Sequence, residues 1–158
     1  MAEIVVYIRS RPFFGAQLVM FPALYQLKAW WPDKALRVVA RDPLAHVYGE
    51  LPWVDEFRVA QGFAQEFKAV GQACETFVCL HPSSEAHALV AALRRPRCRV
   101  GFRKGRLFDR TWTQSVAFAA GEYRALHFLR LLSAVRPLDA LQAARASMAA
   151  LAVGHAPA

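Results

Sequence analysis

Hydrophobic positions in this chain come in two rhythms. Short, mostly apolar runs of four or five residues, bounded by charge, Gly or Pro, recur at Ile4–Ile8, Leu36–Ala40, Glu56–Val59, Thr76–Leu80 and Arg99–Phe102. Runs of this kind suit strands buried on both faces. Between them the spacing turns helical, over Gln17–Trp31, Pro43–Leu51, Phe63–Ala73 and Ser84–Leu93. Two more helices are expected near Glu122–Val135 and Leu138–Val153. Strand and helix alternate without a hairpin dipeptide such as Asn-Gly. That pattern predicts right-handed crossovers and a doubly wound, Rossmann-like parallel α/β sheet, with five central strands in a flavodoxin-like order.

The first helix is apolar nearly all round, with Gln17, Gln26 and Lys28 as its polar residues, so it should pack deeply. Pro22 falls in its second turn, where a missing N–H and a ring clash predict a bend. A Pro-Asp turn in "WWPDKALRV" then feeds the second strand. The chain divides into a Rossmann-like body at residues 1–136 and a helix with tail at 137–158, the latter a candidate interdomain linker. In that tail Leu138, Leu141, Ala144, Met148 and Leu151 share a helical face, and Gly154 and Pro157 supply stop signals. Because alanine fills the rest, the stripe is thin, and loose docking is expected.

Composition narrows the partners. Twenty Lys and Arg against twelve Asp and Glu give a formal charge of +8, which favours an anionic partner: a nucleic acid, a phosphorylated sugar or the anionic face of a membrane. The aromatic residues lie within apolar runs and are not interleaved with basic ones on an exposed face, so nucleic acid is not expected. No run reaches the ~20 apolar residues of a membrane span. The opening "MAEIVVYIRS" lacks a basic leader and a cleavage site, and reads as a strand. A cytoplasmic location is expected, with room for peripheral attachment at the inner face of the membrane. Cys74, Cys79 and Cys98 are odd in number, lie in or beside apolar runs and lack metal-ligand spacing; they read as buried reduced thiols.

In open α/β sheets ligands bind beyond the carboxyl ends of the strands. Those positions here are Arg9, Ser10 and Arg11 after the first strand, and Arg41 and Asp42 after the second. His81, Ser83 and Ser84 follow the fourth, and Arg103, Lys104 and Arg106 the fifth. Guanidinium forks match phosphate and carboxylate oxygens, so this edge is the candidate anion site. Ser83 or Ser84 also fits a helix N-cap, and His81 is a candidate ligand contact. Gly15, which opens the first helix, belongs to the same edge. It is no dinucleotide fingerprint, since the other glycines of that motif are missing. No nucleophile elbow, phosphate loop or zinc motif occurs.

Taken in order, these segments resemble the N-terminal half of glycosyltransferase family 9, the ADP-heptose:lipopolysaccharide heptosyltransferases, over about residues 3 to 135. The resemblance rests on "GAQLVMFPALYQLKAWWPDKALRVV", on "LPWVDEFRV" with Pro52, Val54, Asp55 and Glu56, on Val100–Phe102 in "RCRVGFRKGR", and on "FLRLLSAV". It implies one half of a two-domain GT-B enzyme, the half that holds the acceptor sugar; the nucleotide-sugar donor, ADP-heptose or similar, needs the other half. The implied partners are an anionic glycan or glycolipid acceptor and a donor half supplied by a further domain or a second chain. The family places its catalytic aspartate just after the first-strand glycine, and that position is Ala16 here. Tyr123 stands where the family's histidine opens the last helix. The resemblance therefore implies an inherited platform without its acid, inactive alone; by their place after the second and fourth strands, Asp42 or His81 could approach the same edge and substitute. The other reading is a non-catalytic module for an anionic saccharide or lipid headgroup.

Overall fold

A computed structural model describes residues 3–8, 14–41, 43–81 and 85–154. Its centre is a sheet of six parallel strands: β1 (Glu3–Ile8), β2 (Ala35–Ala40), β3 (Glu56–Val59), β4 (Cys74–Cys79), β5 (Cys98–Arg103) and β6 (Gln114–Ala117). They lie in the order β3-β2-β1-β4-β5-β6. The parallel α/β class stands, but this is the Rossmann order and not the expected flavodoxin-like one. β3 joins the outer edge of β2, with Val38 beside Phe57 and Ala40 beside Val59. The sixth strand was not legible either. "QSVA" has no apolar run, and it becomes a strand because β5 offers it a free edge, Gly101 lying opposite Ser115.

β1 explains the two layers. Ile4, Val6 and Ile8 face one core, Val5 and Tyr7 the other, and all five are at most 2% exposed. On the first side pack α2 (Phe21–Trp30), a 3-10 segment (Pro43–Glu50), α5 (Arg124–Leu132) and α6 (Ala140–Val153). On the second pack α3 (Phe63–Val70), α4 (Glu85–Arg94) and a second 3-10 segment (Leu107–Thr111), whose neighbour Trp112 stacks on Phe77.

The expected first helix is two helices. α1 (Phe14–Leu18) ends before Val19 and Met20, and Pro22 sits in the first turn of α2, where a missing N–H breaks no intrahelical bond. The proline therefore starts a helix where a bend was expected. The segment after β2 winds as 3-10. In the C-terminal helix the buried face is also not the expected one. Asp139 caps α6 by accepting from the N–H groups of Leu141 and Gln142, and Gly154 ends it in the left-handed conformation. Ala143, Ser147 and Ala150 are buried, while Leu141 and Met148 are 54% and 61% exposed. Small side chains let α6 approach α2 and α5 closely, which turns the bulkier residues outward. Leu138 and Leu151 still pack partly on the core.

The "LPWVDEF" segment is structural, and it works at the amino edge of the sheet. The Asp55 carboxylate accepts the N–H of Leu36 at 2.7 Å and meets Lys28 Nζ at 2.8 Å. Burial opposes its ionisation, yet those two donors outweigh it and hold the group below the usual carboxylate range. Glu56 pairs with Arg37 and Arg58. Arg37, only 8% exposed, also meets Glu3 and the carbonyl of Ala69.

In "VGF" the glycine has a packing reason. A Cβ on Gly101 would lie 2.3 to 2.6 Å from three indole atoms of Trp112, so the ring lies flat on bare backbone. Gly101→Ala is expected to lower stability by about 1–3 kcal/mol through overpacking. Urea unfolding checks it: the midpoint should fall with an unchanged slope.

Candidate functional site

The strand order creates a crevice where the chain, having gone outward from β1 to β2 and β3, returns to β4 on the other side of β1. Ligands in such sheets sit beyond the carboxyl ends at this reversal. Of the candidate residues, Arg9, Ser10, Arg11, Asp42 and Ser83 lie outside the described residues. Gly15 is exposed in α1 at an ordinary backbone conformation, with open space around it. The backbone of Ala16 is helical, and the next residue ties this short helix down. Gln17, 2% exposed, takes a hydrogen bond from the Tyr48 hydroxyl on its side-chain oxygen at 2.5 Å. Burial raises the Tyr48 phenol well above its ordinary value. Gln17 thereby ties α1 to the segment that follows β2.

His81 lies just past β4 and is half-buried. Its ring meets the edge of His87 with 5.6 Å between centroids. His87 lies near the start of α4, 6% exposed, with its ring 3.7 Å from that of Tyr7. Its Nδ1 is hydrogen-bonded to the carboxyl of Glu66 in α3, itself 3% exposed. The Cys79 thiol donates to the His81 carbonyl at 3.4 Å. A polar ladder thus runs from α3 through α4 to the carboxyl end of β4. Glu66, Tyr7 and His87 were not among the candidate residues of the sequence. The available signal was a carboxylate on the apolar face of α3, three and four residues before the buried Ala69 and Val70.

Arg103 and Lys104, at the end of β5, are exposed, and Lys104 Nζ stands 4.4 Å from the Phe118 ring centroid. The loop they open is closed by its own acid. Asp109 accepts the N–H groups of Lys104 at 2.8 Å and Arg106 at 3.0 Å, across Gly105 at a φ of +74°. Partial burial opposes ionisation, but these amides win and keep the carboxylate below its usual range. Converging amides of this kind form a nest that takes anions. Here a side chain of the protein occupies it, and what the loop exposes is the cationic side chains of Arg103, Lys104 and Arg106.

Beyond β6, Tyr123 is the N-cap residue of α5 and is 66% exposed. His127, 1% exposed, is enclosed by Phe102 and Phe118 at ring distances of 4.5 and 4.8 Å, and its Nε2 has no hydrogen-bond partner among the described residues. Of the cysteines, Cys74 and Cys79 are buried and Cys98 half-buried, and burial pushes the Cys74 thiol up to about 12. Among the described residues no three His, Cys, Asp or Glu side chains are grouped to hold a metal ion.

No family model matches the chain, and no curated protein does. Among solved structures it is similar to the glycosyl transferase family 9 protein from Veillonella parvula DSM 2008, with a TM-score of 0.70 and 20% identity. The match covers 88% of this chain and 42% of that one. At this identity the likeness is one of fold: the chain is a parallel α/β domain like that in the family 9 structure, spanning less than half of its length.

Two measurements test the buried groups. Glu66→Ala, which removes the carboxyl that His87 Nδ1 is hydrogen-bonded to, is expected to cost about 1–3 kcal/mol in chemical denaturation; Glu66→Gln keeps an acceptor and should cost clearly less. For His127, burial is the largest influence and lowers the pKa; Glu122 opposes this, while Arg130 and Arg124 add to it. With the folded value below the unfolded ~6.5, the unfolded chain takes up the proton first as pH falls. Stability should therefore decline below about pH 6.5 and level off below the folded value. His127→Phe should remove that part of the decline, read as a smaller drop in melting temperature between pH 7 and pH 5.

Proposed function

We propose that this chain is the acceptor-side half of a heptosyltransferase-like glycosyltransferase of lipopolysaccharide or cell-envelope glycan synthesis, inactive by itself. The observation that carries this reading is the extent of the likeness. Nearly the whole chain follows less than half of a family 9 structure, and it does so over the stretch whose motifs resemble that family.

In glycosyl transfer the acceptor oxygen forms a bond to the anomeric carbon, the bond from that carbon to the nucleotide diphosphate breaks, and the hydroxyl proton passes to a base. A positioned base contributes ~10²–10⁴-fold. At position 16 this chain carries a methyl group, which accepts no proton. The remaining role of the edge is to hold the acceptor: Arg9, Arg11, Arg103 and Lys104 for its anionic groups, with Ser10, Gly15, Asp42, His81 and Ser83 beside them. The donor, ADP-heptose or a similar nucleotide sugar, belongs to a donor half outside these 158 residues, and the setting is cytoplasmic, at the inner face of the membrane. Position 16 also favours a second reading, a binding module for an anionic saccharide that never transfers.

Calorimetry with an anionic lipopolysaccharide core oligosaccharide, paired with a transfer assay using ADP-heptose, tests both. Salt-sensitive binding without transfer is expected, and Arg103→Ala with Lys104→Ala should weaken it about tenfold or more. Absence of binding at low salt overturns both readings. Transfer by the unaltered chain, abolished by His81→Ala, overturns the inactive site. With a family 9 donor half supplied, Ala16→Asp should yield transfer if the chain is a transferase half and none if it is a module.

A further inference from the structure

The two borders of the sheet are finished differently. β3 forms one border, where Glu56 pairs with Arg58 and with Arg37, and charged side chains of this kind guard an edge against a further strand. β6 forms the other, and among the described residues no strand lies beyond it. It reads Gln-Ser-Val-Ala, and residues 111–121 carry no charge, between Arg110 and Glu122. It holds neither the lysine nor the proline by which edge strands are kept apart.

The backbone of β6 has one side in use. Thr113 donates its N–H to the Arg99 carbonyl at 2.9 Å, and Phe118 returns its own to the Arg103 carbonyl at 3.1 Å. Between them the register runs from Val100 beside Gln114 to Arg103 beside Ala117. Because bonding alternates along a strand, the N–H and C=O groups of Gln114 and Val116 turn away from β5. Gln114 is exposed and Val116 half-buried. Main-chain donors and acceptors along an uncharged edge are a template for another strand.

Charge selects the occupant. Two copies of a chain with a formal charge of +8 repel over most of their surfaces. In a two-fold dimer a strand lies opposite itself, so a charge at its centre meets its own like. β6 has none to oppose. Antiparallel pairing about Ser115 sets Gln114 of each copy opposite Val116 of the other, and each such pair exchanges two hydrogen bonds, about four in all.

We propose that β6 is a self-pairing edge, through which two copies of this chain join in a two-fold dimer with one continuous sheet. A seam of about four bonds holds copies that repel elsewhere, so the dimer forms and parts with concentration. Neither the acceptor edge nor any sugar takes part, so the dimer and the glycosyltransferase reading fail separately.

Sedimentation equilibrium of the 158-residue chain over a concentration series tests it. Reversible dimerisation is expected, and it should tighten as salt screens the repulsion, the reverse of the salt effect on anion binding. Val116→Pro removes an outward N–H that β5 does not use, from both copies at once, and should raise the dissociation constant about tenfold. Gln114→Lys, at an exposed side chain, places like charges across the seam and should weaken the dimer at least as much. Val59→Lys adds the same charge at the β3 border, where Val59 is 42% exposed, and should dimerise nearly as the parent does. Amide hydrogen exchange gives a readout that folding alone does not move. Gln114 and Val116 should gain protection as concentration rises, while Thr113, bonded to β5, is protected throughout. The proposal is overturned if Gln114→Lys dimerises as the parent does, or if Val59→Lys loses the dimer equally. A parent that is monomeric at every concentration and salt also overturns it, and leaves the edge to a strand of a different protein. So does exchange at Gln114 and Val116 that ignores concentration, which would put the contact between copies elsewhere.

Discussion

β1 belongs to both halves of the molecule at once. Five consecutive apolar residues, Ile4 to Ile8, are closed off from water on alternate sides, and the strand is paired along its length with β2 on one edge and β4 on the other. The two cores share no other strand so completely. Burying both faces of one strand fixes its register, because a slip of one residue exchanges the sides of every side chain. It also sets the reversal of the strand order beside it, and with it the crevice at its carboxyl end.

That crevice is prepared by buried polar groups on the second layer. Tyr7 is only 2% exposed, and its ring carries the His87 ring, which Glu66 holds from behind and which in turn meets His81. A buried pair of this kind is expensive unless its geometry is satisfied; here α3 and α4 supply both partners from adjacent helices. The β5 loop is prepared in another way, with Asp109 gathering the amides that would otherwise attract a ligand's oxygens. One strand end thus presents a half-buried imidazole, and the next a basic loop closed by its own carboxylate.

The charge of the molecule is divided along the strands. Glu3, Asp55, Glu56 and Glu75 lie at or near the amino ends of their strands and pair with Lys28, Lys34, Arg37 and Arg58. Carboxylates used there are not available at the opposite edge or on the α4 face. A net charge of +8 therefore does not spread evenly. It concentrates where Arg95, Arg97, Arg103, Lys104, Arg106 and Arg110 are exposed.

The sequence by itself determined the parallel α/β class and five of the six strands, because continuous apolar runs punctuated by Gly, Pro and charge are local features. It also marked the basic character of the carboxyl-edge loops, although the distances between those side chains are not local. Strand order was decided only by tertiary contact. Arg37 meeting Glu56, and Asp55 meeting the Leu36 amide, place β3 outside β2, and strand alternation carries no trace of that choice. β6 owes its conformation to the open edge of β5, and the buried face of α6 to how closely alanine and serine let it approach its neighbours. The Glu66–His87 pair joins residues 21 apart, so only the packing of α3 on α4 reveals it. Pattern reports what each segment prefers; which partner it meets depends on burial that no segment completes alone.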